Sequence, residues 1–166
     1  MDTWSLGIEF GSTRIKAVLV DEHLSVIATG SHTWENQLID GYWSYPLDAV
    51  WAGVREAYAE LNATVEQTYG APVTTLASIG ISAMMHGYLP FSATGEQLAG
   101  FRSGRNTTTA AASEELTGLL AFAVPQRWSI AHLYQAVLNG EAHVPQIAYL
   151  TTLGGYIHWQ LTGEKT

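Results

Sequence analysis

Between Gly7 and Asp21 the chain reads Gly7-Ile8-Glu9-Phe10-Gly11-Ser12-Thr13-Arg14-Ile15-Lys16-Ala17-Val18-Leu19-Val20-Asp21. An apolar run reaches an acidic residue, a Gly-Ser-Thr turn follows, and a second apolar run opens with two basic residues. This pattern predicts a β-hairpin whose tip gathers backbone N–H groups, two hydroxyls and two cations beside one carboxylate. Such a tip can hold the phosphates of a nucleotide and its Mg²⁺, with the amides and cations toward the phosphates and the carboxylate toward the metal. Gly-Ser-Thr also closes ordinary hairpins, and charged residues at such tips commonly face solvent, so the rest of the chain has to decide between the two readings.

The elements that would position this tip are legible in outline. Strand-like runs at Leu6–Phe10, Ile15–Val20 and Leu24–Thr29 are joined by Gly11-Ser12-Thr13 and Asp21-Glu22-His23, links short enough to force an antiparallel meander. An irregular aromatic segment with Trp34, Tyr42, Trp43 and Tyr45 follows. Leu47, Val50, Trp51, Val54, Tyr58, Leu61 and Val65 then recur at helical spacing, with Pro46 and Asp48 suited to the start and Gly70 with Pro72 to the stop. A fourth strand, Leu76–Ser82, is reached through that helix and should lie parallel to a partner. After the break at Ala83-Met84-Met85-His86-Gly87, Leu89–Phe91 and Gln97–Phe101 predict a hairpin. Helices follow at about Thr107–Phe122, Ser129–Leu138 with Ser129 as N-cap, and Thr152–Leu161 closed by Thr162-Gly163. The fold class is therefore α/β with a mixed sheet.

Composition bounds the function. The chain has 166 residues, is 47% hydrophobic and only 13% charged, and carries a net charge of −8 with seven Lys and Arg. So few cations disfavour a nucleic-acid footprint, whereas a small anion such as ATP needs only two or three. The absence of cysteine rules out disulfides and Cys-type zinc sites. No signal peptide and no run of 18 apolar residues is visible, so no membrane partner is expected and the cytoplasm is the expected location.

Three segments, in order, resemble the N-terminal part of the FGGY family of carbohydrate kinases, within the actin-like, ribonuclease-H-like ATPase superfamily. Gly7–Asp21 is similar to the family's phosphate hairpin. Gly80-Ile81-Ser82-Ala83-Met84-Met85-His86-Gly87 is similar to the sugar-site segment of xylulokinase-like members. Tyr156-Ile157-His158-Trp159-Gln160-Leu161-Thr162-Gly163-Glu164 is similar to the helix that ends in Leu-Thr-Gly-Glu. The resemblance covers essentially the whole chain. It implies that residues 1–166 are the N-terminal portion of the first of two domains, with the catalytic aspartate in a Gly-Asp segment near the end of that first domain and the adenosine-binding part in the second.

The resemblance further implies residue roles. Glu9 takes the place of the usual Asp that meets Mg²⁺, one methylene longer. Ser12 and Thr13 match hydroxyls that touch phosphates, Gly11 the position of close backbone approach, and Lys16 with Arg14 the cations that neutralise phosphate charge. Met85 and His86 match sugar-site positions, where His can hydrogen-bond a hydroxyl and Met can pack on an apolar sugar face. Phe101 stands where the family often has Trp on the sugar site, and Arg102 and Arg105, the only basic pair in a long stretch, could contact a sugar acid or phosphate. Each has a plain structural alternative: Lys16 as an outward strand residue, Met85 and His86 as turn or core, Arg105 as a carboxylate's partner or a helix cap. Met84 and Ser103 depart from the family's Gln and Asp and suggest an altered substrate. His132 and Tyr134 read as structural, and Trp43 is the tryptophan nearest the expected sugar side. The implied function is ATP- and Mg²⁺-dependent phosphorylation of a free sugar or polyol, a ketopentose or similar, with a homodimer as the assembly allowed for. The alternative is a non-catalytic ribonuclease-H-like module that binds a sugar or a protein; a nuclease would need more carboxylates than the early strands offer.

Overall fold

The computed structural model describes residues 3–165, which form two compact units. The first holds residues up to Asn36 and Leu47–Ala83; the second holds Gln37–Pro46 and the chain from Met84 onward.

In the first unit, β1 (Ser5–Phe10), β2 (Arg14–Val20), β3 (Val26–Thr33) and β6 (Ser78–Ala83) make a four-stranded sheet in the order β3-β2-β1-β6. The meander is antiparallel and β6 is parallel to β1, as the crossover helix requires. Side chains alternate between the two faces. Leu6, Ile8 and Phe10 on β1 and Ile15, Ala17 and Leu19 on β2 are buried; Gly7, Glu9, Arg14 and Lys16 point to the other face and are exposed. Helix α1 (Leu47–Tyr69) covers the buried face over β2 and β3. Its innermost positions are Val50, Gly53, Ala57, Leu61 and Val65, so the contact line runs through two small residues that the apolar periodicity passes over. They are small because the backbones meet: a Cβ on Gly30 of β3 would lie 1.9 Å from the Ala57 carbonyl oxygen, and one on Gly53 would lie 2.7 Å from His32 and Ile15.

The third strand begins and ends later than expected. The Asp21 carboxylate accepts the N–H groups of His23 and Ser25, and Leu24 sits in the left-handed region at φ 62°, so residues 21–25 are turn rather than strand. The strand instead runs on through Gly30-Ser31-His32-Thr33, which carries no alternating apolar signal because Gly30 is reserved for α1 and its neighbours face solvent.

The second unit contains the hairpin β4 (Gln37–Ile39) and β5 (Tyr42–Ser44), turned by Asp40-Gly41, both at positive φ. Strand β7 (Leu89–Phe91) pairs antiparallel with β8 (Tyr149–Thr151). The expected hairpin between Leu89–Phe91 and Gln97–Phe101 is reduced to single bridges, Phe91 with Gln97 and Tyr88 with Arg102. β7 finds its ladder partner 60 residues away because Phe91 stacks on Tyr156 at 5.6 Å, with Trp159 edge-on to it, and this aromatic core holds β8 and α4 (Leu153–Thr162) beside it. Helices α2 (Ala110–Leu120) and α3 (Ser129–Leu138) pack through Leu116, Val124 and Ala131. Ser129 is the first residue of α3 and not its N-cap; its hydroxyl donates to the Gly87 carbonyl instead. No helix among the described residues is long and apolar enough to cross a membrane.

Candidate functional site

The residues expected to hold phosphate lie at the β1–β2 turn, at one end of the first unit's sheet. Gly11 donates its N–H to the Arg14 carbonyl at 3.0 Å, and a Cβ there would sit 3.0 Å from the same oxygen, so the glycine is required by the tightness of the turn. Trp34 braces the tip from inside: its backbone N–H donates to Thr13 O at 3.2 Å and its indole Nε1 to Gly11 O at 2.9 Å. Ser12, Thr13 and Arg14 are left exposed on this braced turn. Glu9 and Lys16 are directly opposed across β1 and β2, and Lys16 Nζ lies 3.5 Å from Glu9 Oε2 with both side chains about half exposed. They border a shallow cavity of about 370 Å³ on the open sheet face, floored by Gly7 and Gly80, where no side chain fills the space. The hairpin thus offers one carboxylate and two cations on a rigid turn. Among the described residues, no three His, Asp or Glu side chains gather into a metal-binding group.

The residues expected at a sugar site lie in the second unit, around Met85-His86-Gly87. Gly87 has φ 141°, and a Cβ on it would meet the Phe101 ring at 2.2 Å. Phe101 is 1% exposed, so it supports the loop from beneath, and Tyr45 lies 6.3 Å from it, ring to ring. His86 packs in the same way on Gly104. Its pKa is lowered, first by burial and then by the Arg127 cation, which leaves a neutral imidazole able to donate or accept one hydrogen bond at neutral pH. Met85 is 79% exposed. Met85 and His86 line a cavity of about 340 Å³ together with Trp128, Ser129 and Ile130. The hydrogen bond from Ser129 to Gly87 O ties the start of α3 to this loop. The structure therefore brings Met85, His86 and Phe101 together, the last as a support.

Arg105 does not cap a helix and makes no ion pair among the described residues; its guanidinium stacks on Trp43 at 3.6 Å. Trp43 is in turn clamped by Asn106, whose side chain accepts the Trp43 N–H and donates to its carbonyl. Ser103 is buried, with its N–H on Trp43 O at 2.9 Å, so it belongs to this turn.

The Arg102 guanidinium is committed to a buried ion pair. It is 4% exposed, forms a two-pronged ion pair with Glu141, and lies over the rings of Tyr42 at 4.1 Å and Tyr88 at 5.0 Å. Burial would push the Glu141 carboxyl up, but the Arg102 hydrogen bond and charge outweigh it and hold it below the usual carboxylate range. Tyr88, whose hydroxyl is 2.7 Å from His143 Nε2, is pushed up to about 12 by burial. His132 is fully buried, neither ring nitrogen has a partner, and burial with the nearby Arg102 cation lowers its pKa to about 4. This network braces the unit. Sequence reasoning missed Trp128 and Ile130 at the cavity; the available signal was an aromatic residue placed just before a helix start.

No protein-family profile and no curated protein matches the sequence. The fold does match solved structures. A xylulose kinase from Rhodospirillum rubrum superposes with a TM-score of 0.84 at 21% identity, over 98% of this chain and 35% of that one. A gluconate kinase from Lactobacillus acidophilus gives 0.79 at 18% identity, over 98% and 34%. The glycerol kinase of Plasmodium falciparum, solved with ADP, gives 0.72 at 15% identity, over 96% and 34%. The chain spans about a third of the length of each. At these identities the likeness establishes the fold: a mixed α/β architecture of the actin-like ATPase type, shared with the FGGY sugar and polyol kinases.

Proposed function

We propose that the chain is the N-terminal portion of the first domain of an ATP-dependent kinase that phosphorylates a small polyhydroxy acceptor, a free sugar or polyol, with ketopentoses as the first compounds to try. The observation that carries the proposal is the whole-chain fold likeness to kinases named for xylulose, gluconate and glycerol. In this reading the hairpin of the first unit serves the nucleotide. Lys16 and Arg14 neutralise phosphate charge, Ser12 and Thr13 offer hydroxyls, Gly11 keeps the turn tight, and Glu9 is the carboxylate that would hold Mg²⁺. The ion would supply charge neutralisation of the transferred phosphoryl group. The loop of the second unit serves the acceptor: His86, neutral, bonds a hydroxyl, Met85 packs on carbon, and Phe101 fixes the loop from beneath. Arg105, held flat on Trp43, is a cation available to an anionic substituent. The base that removes the acceptor's proton comes from chain beyond these residues.

The test is ADP release by the full-length gene product with Mg-ATP and a panel of ketopentoses, ketohexoses, polyols and sugar acids. Stimulation by one acceptor establishes the kinase and names its substrate. A folded protein that no acceptor stimulates turns the reading to the non-catalytic binding module.

A further inference from the structure

Helix α3 and the turn after it meet the residues that follow His86 at three points. At the start of the helix the Ser129 hydroxyl donates to the Gly87 carbonyl. One turn on, the buried His132 lies ring to ring with Tyr88 at 6.3 Å. Past its end, Glu141 sits in the turn that stops the helix, its N–H donating to Ala136 O at 3.0 Å. The Glu141 carboxylate reaches Tyr88 by two routes. It accepts both prongs of the Arg102 guanidinium, which lies 5.0 Å from the centre of the Tyr88 ring. The backbone of Arg102 closes this route, because its N–H donates to Tyr88 O at 3.3 Å and its carbonyl accepts the Tyr88 N–H at 3.1 Å. On the second route, Glu141 Oε2 lies 3.6 Å from His143 Nδ1, and His143 Nε2 lies 2.7 Å from the Tyr88 hydroxyl. Tyr88 is thus held by backbone, ring and hydroxyl, and it is wholly buried.

Gly87, with φ 141°, separates this fixed residue from His86. A glycine turns freely, so the loop's own backbone does not decide where His86 points. What decides it is the anchoring on the far side of the hinge. An ion pair as buried as Arg102 with Glu141 adds little net stability over an apolar pair of the same size, because desolvation offsets the attraction. Its two parallel hydrogen bonds do fix direction.

We propose that Glu141 is a positioning residue for the acceptor: through Arg102 and His143 it fixes Tyr88, and through Tyr88 the Gly87 hinge and the direction of His86. The proposal rests on the kinase reading for what His86 meets, whereas the fixing of the loop can be measured apart from it.

The experiment uses the full-length protein, as wild type, Glu141→Gln and Glu141→Asp. Glu141→Asp keeps the charge beside Arg102 but is one methylene short, and it decides alone if Glu141→Gln does not fold. Initial rates of ADP release are measured with D-xylulose, D-ribulose, xylitol and glycerol. Amide exchange at Tyr88 and Arg102 is followed by mass spectrometry. The expected result is a kcat/KM for the acceptor lower by on the order of tenfold or more, chiefly through KM, with KM for ATP within about twofold. Exchange at Tyr88 and Arg102 should quicken while that of β1 and β2 is unchanged. Partial unfolding lowers the amount of active enzyme and leaves both KM values alone, so it does not imitate this split. Acceptor KM unchanged, both KM values raised together, or unchanged exchange at Tyr88 overturns the proposal and leaves the kinase intact. If no acceptor stimulates ADP release, the kinase reading falls and exchange decides alone. Faster exchange confined to Tyr88 and Arg102 then upholds the fixing of the loop by Glu141, and equal exchange overturns it.

Discussion

Glu9 and Lys16 are opposed on adjacent strands, half exposed, and 3.5 Å apart. An exposed pair of this kind contributes at most about 1 kcal/mol to stability. The fold therefore does not depend on it, and each partner can be redirected to a ligand of opposite charge at little cost. Replacing Lys16 with Ala in the full-length protein should lower kcat/KM for ATP by roughly ten- to a hundredfold, the worth of one charged hydrogen bond. Acceptor affinity and the urea midpoint should move much less. Initial rates against ATP at saturating acceptor, beside direct acceptor binding, make the measurement; an unchanged ATP dependence would return Lys16 to the role of an outward strand residue. Phe101 and Arg102 teach the converse. Both stand in a segment that the family resemblance marks for substrate, yet Phe101 is 1% and Arg102 4% exposed. Residue type at a motif position does not tell whether a side chain faces a cavity or the core; burial does.

At the scale of elements, the closest approach in the first unit is that of α1 to β3 at Gly30. A methyl group there would meet the Ala57 carbonyl oxygen, a backbone atom that yields only if the helix moves. Gly30→Ala should therefore destabilise the protein by about 3 kcal/mol or more, as overpacking of a tight contact does. Gly80→Ala on the exposed strand β6 is the control, since nothing lies within 4 Å of its added carbon. Urea unfolding of the two variants separates them; equal midpoints would mean that the helix shifts freely over the strand. The same contact explains what the sequence conceals. Apolar periodicity located α1 and the alternation in β1 and β2, because those signals come from residues that are large and buried. It lost the end of β3, where the buried position is a glycine, and placed the helix stripe through Val54 and Tyr58 when the deepest line runs through Gly53 and Ala57. Asp40-Gly41, a turn signal flanked by short strands, was present and overlooked among the aromatics. The β7–β8 pairing was beyond local reading, since strands 60 residues apart are joined by an aromatic core that no short window contains. For the candidate site, the hairpin turn and the Met85-His86-Gly87 loop were legible, whereas Trp128 and Ile130 join the cavity beside that loop where Ser129 ties α3 to Gly87 O.

Across the whole molecule, the titrating histidines are unevenly distributed. His86, His132 and His143 all have lowered pKa values, each chiefly from burial, and all three belong to the second unit. The direction of the effect on stability follows from proton counting. A histidine that titrates near 6.5 when unfolded and near 4 when folded binds its proton more readily in the unfolded chain throughout that window. Stability is therefore full above pH 6.5 and is lost as pH falls toward 4. For His132 alone the loss is about 3 kcal/mol, from the worth of one pKa unit. Glu141 acts in the same sense at lower pH: its folded carboxyl is held down by Arg102, so the stability it lends is lost as pH falls through the acid range. Native-state hydrogen exchange at pH 6.5, 5.5 and 4.5, corrected for intrinsic rates, should show protection falling first in α3, β7 and β8, while β1, β2 and α1 keep theirs. His132→Leu, which fills the site without a titratable ring, should flatten that loss. Equal decline in both units, or an unaltered pH profile in the variant, would mean that the buried imidazole is not what makes this protein sensitive to acid.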